Sequence, residues 1–254
     1  MTVAEDPWAA LRRFTAARIA RGRAGAGLPT RAWLDFALAH ALARDAVHAP
    51  FDAAGLQAAL AADGWPTLRL RSAAGDRRTY LQRPDLGRHL DEASAARLAA
   101  PDAQAWPTGA GPRLAVVLAD GLAAPAAWHA LPLLAALRPR LPGWRWAPVA
   151  IAELARVALG DDIGERLQAD AVVVMLGERP GLSAPDSLGL YLTWVPRRGR
   201  TDAERNCISN VRPQGLSPAQ AAERLAWLLA GARRLGASGV VLKDDSDGAA
   251  ALPG

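Results

Sequence analysis

The sequence predicts an α/β protein with a doubly wound, mostly parallel, Rossmann-like sheet preceded by a smaller, mainly helical N-terminal region. From residue 113 onward, short apolar segments alternate with helical segments, which is typical of a parallel sheet covered on both faces. A Pro- and Gly-rich stretch, "PDAQAWPTGAGP", comes just before that pattern and predicts a boundary at residue 112. Apolar residues make up 51% of the 254 residues, which is enough for a substantial core.

The beginning of the N-terminal region has helical periodicity with one interruption. The segment "WAALRRFTAARIA" places Leu11, Phe14 and Ile19 at helical spacing, and "GRAGAGLPT" then breaks the pattern. The segment "RAWLDFALAHALARDAVHA" resumes it, with Thr30 as the expected N-cap.

The rest of the N-terminal region combines helices with short extended pieces. We expect helices near residues 53–62 and 92–99, and extended segments in "TLRLRS" and "RTYLQRP". Residues 1–112 are therefore interpreted as one helical and mixed region.

Residues 113–243 are interpreted as an α/β domain. Its successive segments are "RLAVVLAD" (strand), "PAAWHALPLLAALRPRL" (helix), "WRWAPVAI" (strand), "DDIGERLQ" (short helix), "AVVVML" (strand) and "YLTWV" (strand). A capping box of Ser217 and Gln220 then begins a helix that ends at Gly236. "GVVLK" is predicted to be the last strand, and residues 244–254, which lack core-forming side chains, are predicted to be a flexible tail.

Charge and cysteine content exclude several classes of protein. The 30 basic residues exceed the 25 acidic ones only mildly, so the pI near 10.5 is weak support for nucleic-acid binding. Six arginines between Arg12 and Arg31 are interpreted as a solvated face or as a surface that docks on a more acidic protein. One cysteine excludes an intramolecular disulfide and a cluster of several thiolates. Without a signal sequence or an apolar run of about 20 residues, we expect a soluble cytoplasmic protein with no membrane or nucleic-acid partner.

Three segments are expected to meet at the carboxyl edge of the sheet, where α/β proteins bind ligands. They are "ADGL" after the first strand, "LGERPGL" after the third, and "RNCISN" in a loop before the last helix. The first candidate side chain is Glu178, a charged acceptor between two glycines. The second is Cys207, the only thiol, which lies among polar neighbours.

Known catalytic and phosphate-binding patterns do not account for these residues. The first strand is not followed by G-x-G-x-x-G, the chain has no G-x-x-x-x-G-K-[ST], and no metal-ligand spacing occurs. None of the four histidines has a cysteine-hydrolase signature around it, so a nucleophilic role for Cys207 is unsupported. The residues alone predict an α/β ligand-binding domain with a helical attachment. A stand-alone nucleotide- or nucleic-acid-binding protein stays open as an alternative.

Six segments in the same order carry a family resemblance. They are "FTAARIARGRAGAGLPTRAWLDFALAHALARDAVH", "YLQRPDLGRHLD", "DGL", "RVALGDDIGERL", "VVVMLGERPGLSAPDSLGLYLTW" and "TDAERNCISNVRPQGLSPAQAA". Together they cover most of the chain, which on this ground resembles the light chain, or small subunit, of ethanolamine ammonia-lyase.

The resemblance implies a cofactor, a partner and a set of contacts. The family's enzyme converts ethanolamine to acetaldehyde and ammonia by adenosylcobalamin-dependent radical chemistry, with the substrate held by a large subunit. It implies that the N-terminal region docks the large subunit, that the α/β domain contacts cobalamin, and that this chain holds no catalytic residue. Cobalamin contacts are expected from Val157, Glu178 and Cys207. The resemblance also implies a cytoplasmic location, either free or inside a bacterial microcompartment.

Overall fold

Seven strands form one sheet in the computed structural model, which describes residues 6–15 and 17–246. The strands are β1 (Thr67–Arg71), β2 (Arg113–Ala119), β3 (Arg145–Trp146), β4 (Val149–Glu153), β5 (Ala171–Gly177), β6 (Leu188–Trp194) and β7 (Arg205–Val211). Their order is β1-β4-β2-β5-β6-β7, and β3 pairs with β2 on the same side as β4. The predicted α/β class is confirmed.

The sheet is parallel from β1 to β5 and antiparallel beyond β5. The pairs β1–β4, β4–β2, β2–β3 and β2–β5 are parallel, whereas β5–β6 and β6–β7 are antiparallel. The segment "YLTWV" is confirmed as a strand, since it lies in β6. The chain from Glu178 to Ser187 contains no helix, and such a connection joins neighbouring strands in antiparallel fashion.

Helices cover both faces of the sheet. The α-helices are α1 (Thr30–His48), α2 (Ala53–Ala62), α3 (Arg77–Gln82), α4 (Glu92–Ala99), α5 (Ala130–Leu137), α6 (Leu159–Arg166) and α7 (Pro218–Leu235). Successive residues of β2 point to opposite faces. Leu114 and Val116 join the core beneath α2, α5 and α7, and Ala115 and Val117 join the core beneath α4 and α6.

Short 3-10 helices complete the structure. They are Ala9–Phe14, Leu86–Arg88, Ala124–His129, Arg138–Arg140, Asp202–Glu204 and Gly239–Val241. None of the helices in the described residues has the length and hydrophobicity needed to span a bilayer.

Three predicted helices are confirmed because strong local caps define where they begin. The side chain of Asp52 accepts a hydrogen bond from the Gly55 amide (2.9 Å) at the start of α2. The side chain of Asp91 accepts one from the Ser94 amide (2.7 Å) at the start of α4. The predicted capping box at Ser217 begins α7. These signals lie within a few residues of each other in sequence, so they are readable without the tertiary structure.

The predicted secondary structure was wrong for three segments of the N-terminal region. Thr30 is the first residue of α1 and not its cap, because Pro29 occupies the N-cap position without a side-chain bond. The apolar residues before it form a 3-10 helix at Ala9–Phe14 instead of a longer α-helix. "RTYLQRP" is mostly helical, because the Asp76 side chain accepts a hydrogen bond from the Thr79 amide (2.8 Å) and caps α3.

Three segments of the α/β part also differ from the prediction. "WRWAPVAI" forms two short strands, β3 and β4, with Pro148, which has no amide hydrogen to donate, between them. "RNCISN" is not a loop, since it lies in β7 at the edge of the sheet. "GVVLK" forms a 3-10 turn and not a strand, because the Asn206 side chain binds both the Gly239 amide (2.8 Å) and the Leu242 carbonyl (2.7 Å).

Strand β1 extends the sheet across the expected boundary at residue 112. Residues 67–71 pair with β4 over their whole length. The division into regions at residue 112 stays a prediction, and so does the flexible tail, of which residues 247–254 lie outside the described part of the chain.

Candidate functional site

A cavity of about 500 Å³ lies at the carboxyl ends of β2, β4 and β5, and we call it the central cavity. Its lining consists of Tyr80, Leu122, Ala155, Arg156, Val157, Leu176, Gly177, Glu178, Arg179 and Tyr191. Most of this surface is apolar or aromatic, and Glu178 and the two arginines are its charged groups. A cavity of this size and composition is typical of a small-molecule site.

The carboxylate of Glu178 is held by three donors from the antiparallel edge of the sheet. Its Oε2 accepts hydrogen bonds from the Ser187 hydroxyl and from the Asn210 amide (3.1 Å). Its Oε1 accepts one from the Ser209 hydroxyl (2.5 Å). A carboxylate has about four acceptor positions, so these bonds fix the group and leave Oε1 able to accept one more.

The glycine at position 189 makes room for this side chain. A Cβ at Gly189 would lie 2.9 Å from Cγ of Glu178 and 3.0 Å from the ring of Tyr191. Any larger residue there would displace one of these two groups from the central cavity. The absence of a side chain at Gly189 therefore leaves the space in which the Glu178 carboxylate meets its three hydrogen-bond donors.

Cys207 lies one strand farther out, beside the central cavity. It is the partner of Tyr191 in the antiparallel pairing of β6 and β7, and side chains paired in this way lie on the same face. Its sulfur lies 3.7 Å from the Ser209 hydroxyl. Cys207 is exposed, but desolvation of its sulfur by neighbouring groups and the nearby Glu178 carboxylate raise the pKa of Cys207, which disfavours the thiolate. Cys207 is therefore suited to packing and weak hydrogen bonding rather than nucleophilic attack.

Val157 lies in the turn between β4 and α6 and is partly buried. It lines the central cavity together with its neighbour Arg156. Val157 and Glu178 thus both line the central cavity, and Cys207 lies beside it as the pairing partner of Tyr191. The expectation that "ADGL" and "LGERPGL" meet at one edge is confirmed, since Leu122 and Glu178 share this cavity.

Asp120, at the end of β2, is a buried carboxylate that joins several loops. Its Oδ1 accepts from the amides of Gly121 (3.0 Å) and Ala155 (3.1 Å), and its Oδ2 lies 3.2 Å from Nη1 of Arg77. Burial raises the pKa of Asp120 to about 6, despite these hydrogen bonds and the Arg77 charge. The Arg77 guanidinium also binds the carbonyl oxygen of Val47 (2.7 and 2.9 Å), so Asp120 helps to hold the end of α1.

Two lining residues, Tyr80 and Arg156, were not predicted from the sequence. The Arg156 guanidinium lies 4.2 Å from the centre of the Tyr80 ring, and its Nη2 donates to the Tyr80 carbonyl (3.1 Å). Burial raises the pKa of Tyr80 to about 12, so its hydroxyl stays protonated and donates to the Ala155 carbonyl (3.2 Å). The only available signal was position, because each residue begins one of the segments that carry the family resemblance, "YLQRPDLGRHLD" and "RVALGDDIGERL".

A second cavity, of about 540 Å³, adjoins the central one, and we call it the arginine cavity. Five arginines contribute to its lining: Arg88, Arg156, Arg198, Arg200 and Arg205. Arg156 and Val157 belong to the lining of both cavities. The two cavities therefore meet at the turn that precedes α6.

A buried ion pair fixes β7 against α6 at the floor of the arginine cavity. Arg205 binds Asp161 with two parallel hydrogen bonds, each 2.7 Å long, and both side chains are almost fully buried. Such a bidentate pair is geometrically specific, and removal of one partner from a buried pair typically costs about 3–5 kcal/mol. The pair therefore fixes the strand that carries Cys207.

The lining residues of the two cavities offer hydrogen bonds, ion pairs and apolar contact. The described residues contain no group of three or more His, Cys, Asp or Glu side chains that could hold a metal ion. The hydrogen bonds found for the Cys207 thiol and the Glu178 carboxylate involve no histidine base. The site combines an apolar wall, one oriented carboxylate and neighbouring arginines, which suits an amphipathic ligand with hydrogen-bond donors.

Comparisons with known proteins agree on one family. A family model described as "Ethanolamine ammonia-lyase light chain (EutC)" matches residues 5–243. A protein of Ralstonia nicotianae named "Ethanolamine ammonia-lyase small subunit" is 57% identical over 249 residues, covering 97% of this chain and 91% of the relative. A protein of the same name from Azotobacter vinelandii is 57% identical over 260 residues (98% and 94% covered). One from Xanthomonas campestris pv. campestris is 55% identical over 249 residues (97% and 90% covered).

Proposed function

The chain belongs to the ethanolamine ammonia-lyase light chain family, and from this membership we propose that it helps to bind adenosylcobalamin as the small subunit of an ethanolamine ammonia-lyase. In this proposal a large subunit holds ethanolamine, which the complex converts to acetaldehyde and ammonia. One observation carries the proposal. Val157, Glu178 and Cys207 come from three separate segments, and they gather at the central cavity and its immediate border.

The residues of the central cavity fit the chemistry of a corrinoid. A corrin is a broad, largely apolar ring that carries amide arms around its rim. Leu122, Val157 and Leu176 offer apolar contact, and the remaining acceptor position of Glu178 Oε1 suits an amide or hydroxyl donor. A cavity of about 500 Å³ is smaller than a whole corrinoid, which supports a site shared with another subunit.

The residues of this chain have binding and shielding roles in the proposal. Adenosylcobalamin, when bound, supplies the radical chemistry of the reaction. Glu178 orients the cofactor by accepting a hydrogen bond, and its three protein donors keep the carboxylate in one position. Val157 excludes water with its methyl groups, and Cys207 packs beside Tyr191 and supports that wall.

The large subunit is proposed to cover helix α1. This helix exposes Trp33, Leu34, Phe36, Leu38 and Leu42, each at least 44% exposed. Several large apolar side chains on one exposed helix are typical of a protein interface. Arginines of the preceding segment would then face acidic groups of the partner.

Reconstitution tests the proposed function. The purified chain would be mixed with a large subunit of the family, adenosylcobalamin and ethanolamine, and acetaldehyde formation would be measured. We expect activity only when both subunits are present. Full activity of the large subunit alone, or a complex that forms but binds no adenosylcobalamin, would contradict the proposal.

A further inference from the structure

The arginine cavity contains more positive charge than its own acidic residues neutralise. Three of its arginines have carboxylate partners, namely Arg198 with Asp162 (2.7 Å), Arg205 with Asp161 (2.7 Å) and Arg200 with Glu204. Arg88 and Arg156, by contrast, have no carboxylate within ion-pair distance among the described residues. The uncompensated charge of the cavity therefore lies with these two residues.

The fold holds Arg88 and Arg156 next to each other. Gly87 accepts a hydrogen bond from the Arg156 amide (2.8 Å), which attaches the turn containing Arg88 to the turn before α6. A Cβ at Gly87 would lie 2.8 Å from Cγ of Arg156, so only glycine allows the Arg156 side chain to pass this close. Both residues line the arginine cavity, so an anion bound there would be attracted by two positive charges.

Arg156 is already oriented, which lowers the entropic cost of using it for binding. Its guanidinium stacks on the Tyr80 ring at 4.2 Å and donates to the Tyr80 carbonyl. A guanidinium fixed in one plane is well suited to a phosphate, whose oxygens can accept two parallel hydrogen bonds. Because Arg156 also lines the central cavity, a single ligand can contact both cavities.

We propose that Arg88 and Arg156 form an anion subsite that binds the phosphodiester of the cobalamin nucleotide arm. This inference rests on the proposed function, since it takes adenosylcobalamin as the ligand of the adjoining cavity. The side arms of that cofactor are otherwise uncharged amides, so the phosphodiester is the group that two guanidiniums would select. Val157 lines both cavities and would separate the apolar part of the site from the part that binds the anion.

Binding measurements on the assembled complex test this subsite without using enzyme activity. The dissociation constants of adenosylcobalamin and adenosylcobinamide, which lacks the phosphodiester and its nucleotide, would be measured by equilibrium ultrafiltration in the dark. Wild type would be compared with Arg88→Gln and Arg156→Gln. Arg97→Gln is the matched control, because Arg97 is exposed, pairs with Asp102 (2.8 Å) and lies outside both cavities.

We expect each of the two variants to weaken adenosylcobalamin binding at least about tenfold, which is the effect of losing one charge-assisted hydrogen bond. Arg88→Gln, which lies outside the central cavity, should leave adenosylcobinamide binding unchanged, and Arg97→Gln should change the binding of neither corrinoid. Equal weakening of both corrinoids by Arg88→Gln, whose side chain is exposed, would overturn the inference. Unchanged adenosylcobalamin binding in both variants would overturn it too.

Calorimetric titration with inorganic phosphate distinguishes the cofactor's phosphodiester from a free anion. If phosphate bound to wild type and not to Arg88→Gln, while adenosylcobalamin bound both equally, the cavity would be a separate anion site and the inference would be wrong. A wild-type complex that binds neither corrinoid would contradict the proposed function itself. Normal corrinoid binding in every arginine variant would contradict only the subsite.

Discussion

Helices α1 and α7 have nearly the same length and opposite relations to the protein core. Helix α7, with 18 residues, buries Ala221, Ala222, Leu225, Leu228, Leu229, Gly231 and Ala232. Helix α1, with 19 residues, buries only Ala39 and Ala46, although it is rich in large apolar side chains. Because most helical stability in proteins comes from packing of an apolar face, α7 is stabilised by its own chain and α1 is left to be covered by another surface.

The attachment of α1 to the rest of the protein is correspondingly polar. Its last turn is held by the Arg77 guanidinium, which binds the Val47 carbonyl and the buried Asp120 carboxylate. Apolar content alone therefore does not determine which helix forms the core. The sequence of α1 predicts a helix, and the structure shows that its large apolar side chains are exposed.

The largest expected effect is the loss of stability when one buried side chain of α7 is shortened. Leu228 is 1% exposed, and Leu228→Ala should lower the free energy of unfolding of the isolated chain by about 2–5 kcal/mol. The matched control is Leu38→Ala in α1, where a 62% exposed side chain should change the value by less than about 0.5 kcal/mol. Urea denaturation measures both. Equal losses in the two variants would show that α1 and α7 contribute alike to the stability of the isolated chain.

The anchor of α1 should give a specific dependence of stability on pH. Burial raises the pKa of Asp120 to about 6, above the value of about 3.9 for an unfolded chain, so between pH 4 and 6 the folded protein binds more protons than the unfolded one. The free energy of unfolding should therefore fall as pH rises through this window, with a contribution from Asp120 of up to ~3 kcal/mol.

The variant Asp120→Asn removes this titration, and its difference from wild type cancels the contributions of other groups. Its urea-denaturation stability should fall less than that of wild type between pH 4 and 6. Parallel pH profiles for the two proteins would show that Asp120 titrates alike in the folded and unfolded states.

The exposed apolar side chains of α1 should contribute to association with the large subunit and not to the stability of the isolated chain. Trp33→Ser combined with Leu38→Ser should weaken association with the large subunit at least about a hundredfold, because a few large apolar side chains dominate most interfaces. The control is Val240→Ser with Val241→Ser, a second exposed apolar pair (74% and 64%) in the turn after α7. Sedimentation or interferometry would measure association. Equal effects of the two double variants would argue against α1 as the docking helix.

Smaller effects are expected at two proposed cofactor contacts, Glu178 after β5 and Cys207 in β7. Glu178→Gln in the complex should raise the dissociation constant of adenosylcobalamin about tenfold and change the ethanolamine KM less, because the carboxylate is assigned to the cofactor. The control Glu223→Gln changes an exposed glutamate of α7. A larger change in KM than in cofactor binding would refute the assignment. Cys207→Ser should alter cofactor binding by less than about threefold, since a hydroxyl can replace a weakly bonding thiol.

The sequence predicted those parts of the fold that depend on neighbouring residues. The caps of α2, α4 and α7 lie beside the helices they begin, and the apolar runs of β2 and β5 are long enough to indicate buried strands. The segment of β7 has mixed polarity because it lies at the sheet edge, with Ser209 and Asn210 turned to Glu178. Its strand conformation depends on pairing with β6, which no local pattern reveals.

The same distinction applies to the candidate site. Glu178 and Cys207 were already candidates from their positions at the predicted sheet edge, whereas Val157 and the assignment of all three residues to a cofactor came from a family resemblance. Tyr80 and Arg156 were missed because their importance arises from contact between distant turns, across the bond from Arg156 to Gly87. Sequence reasoning identifies which segments carry chemistry more readily than it identifies which side chains meet.

The pairing of β1 with β4 has a practical consequence for dissecting this protein. A fragment beginning at residue 113 would lack β1 and would turn β4 into an edge strand with unpaired backbone groups. The residues of β4 from Val149 to Ala152 are all buried, so the new edge would be apolar over four of its five residues, with Glu153 as its one charged side chain. Such an edge is a template for intermolecular strand pairing, and the fragment should aggregate even if its remaining strands fold. A soluble fragment of the sheet must therefore begin before Thr67.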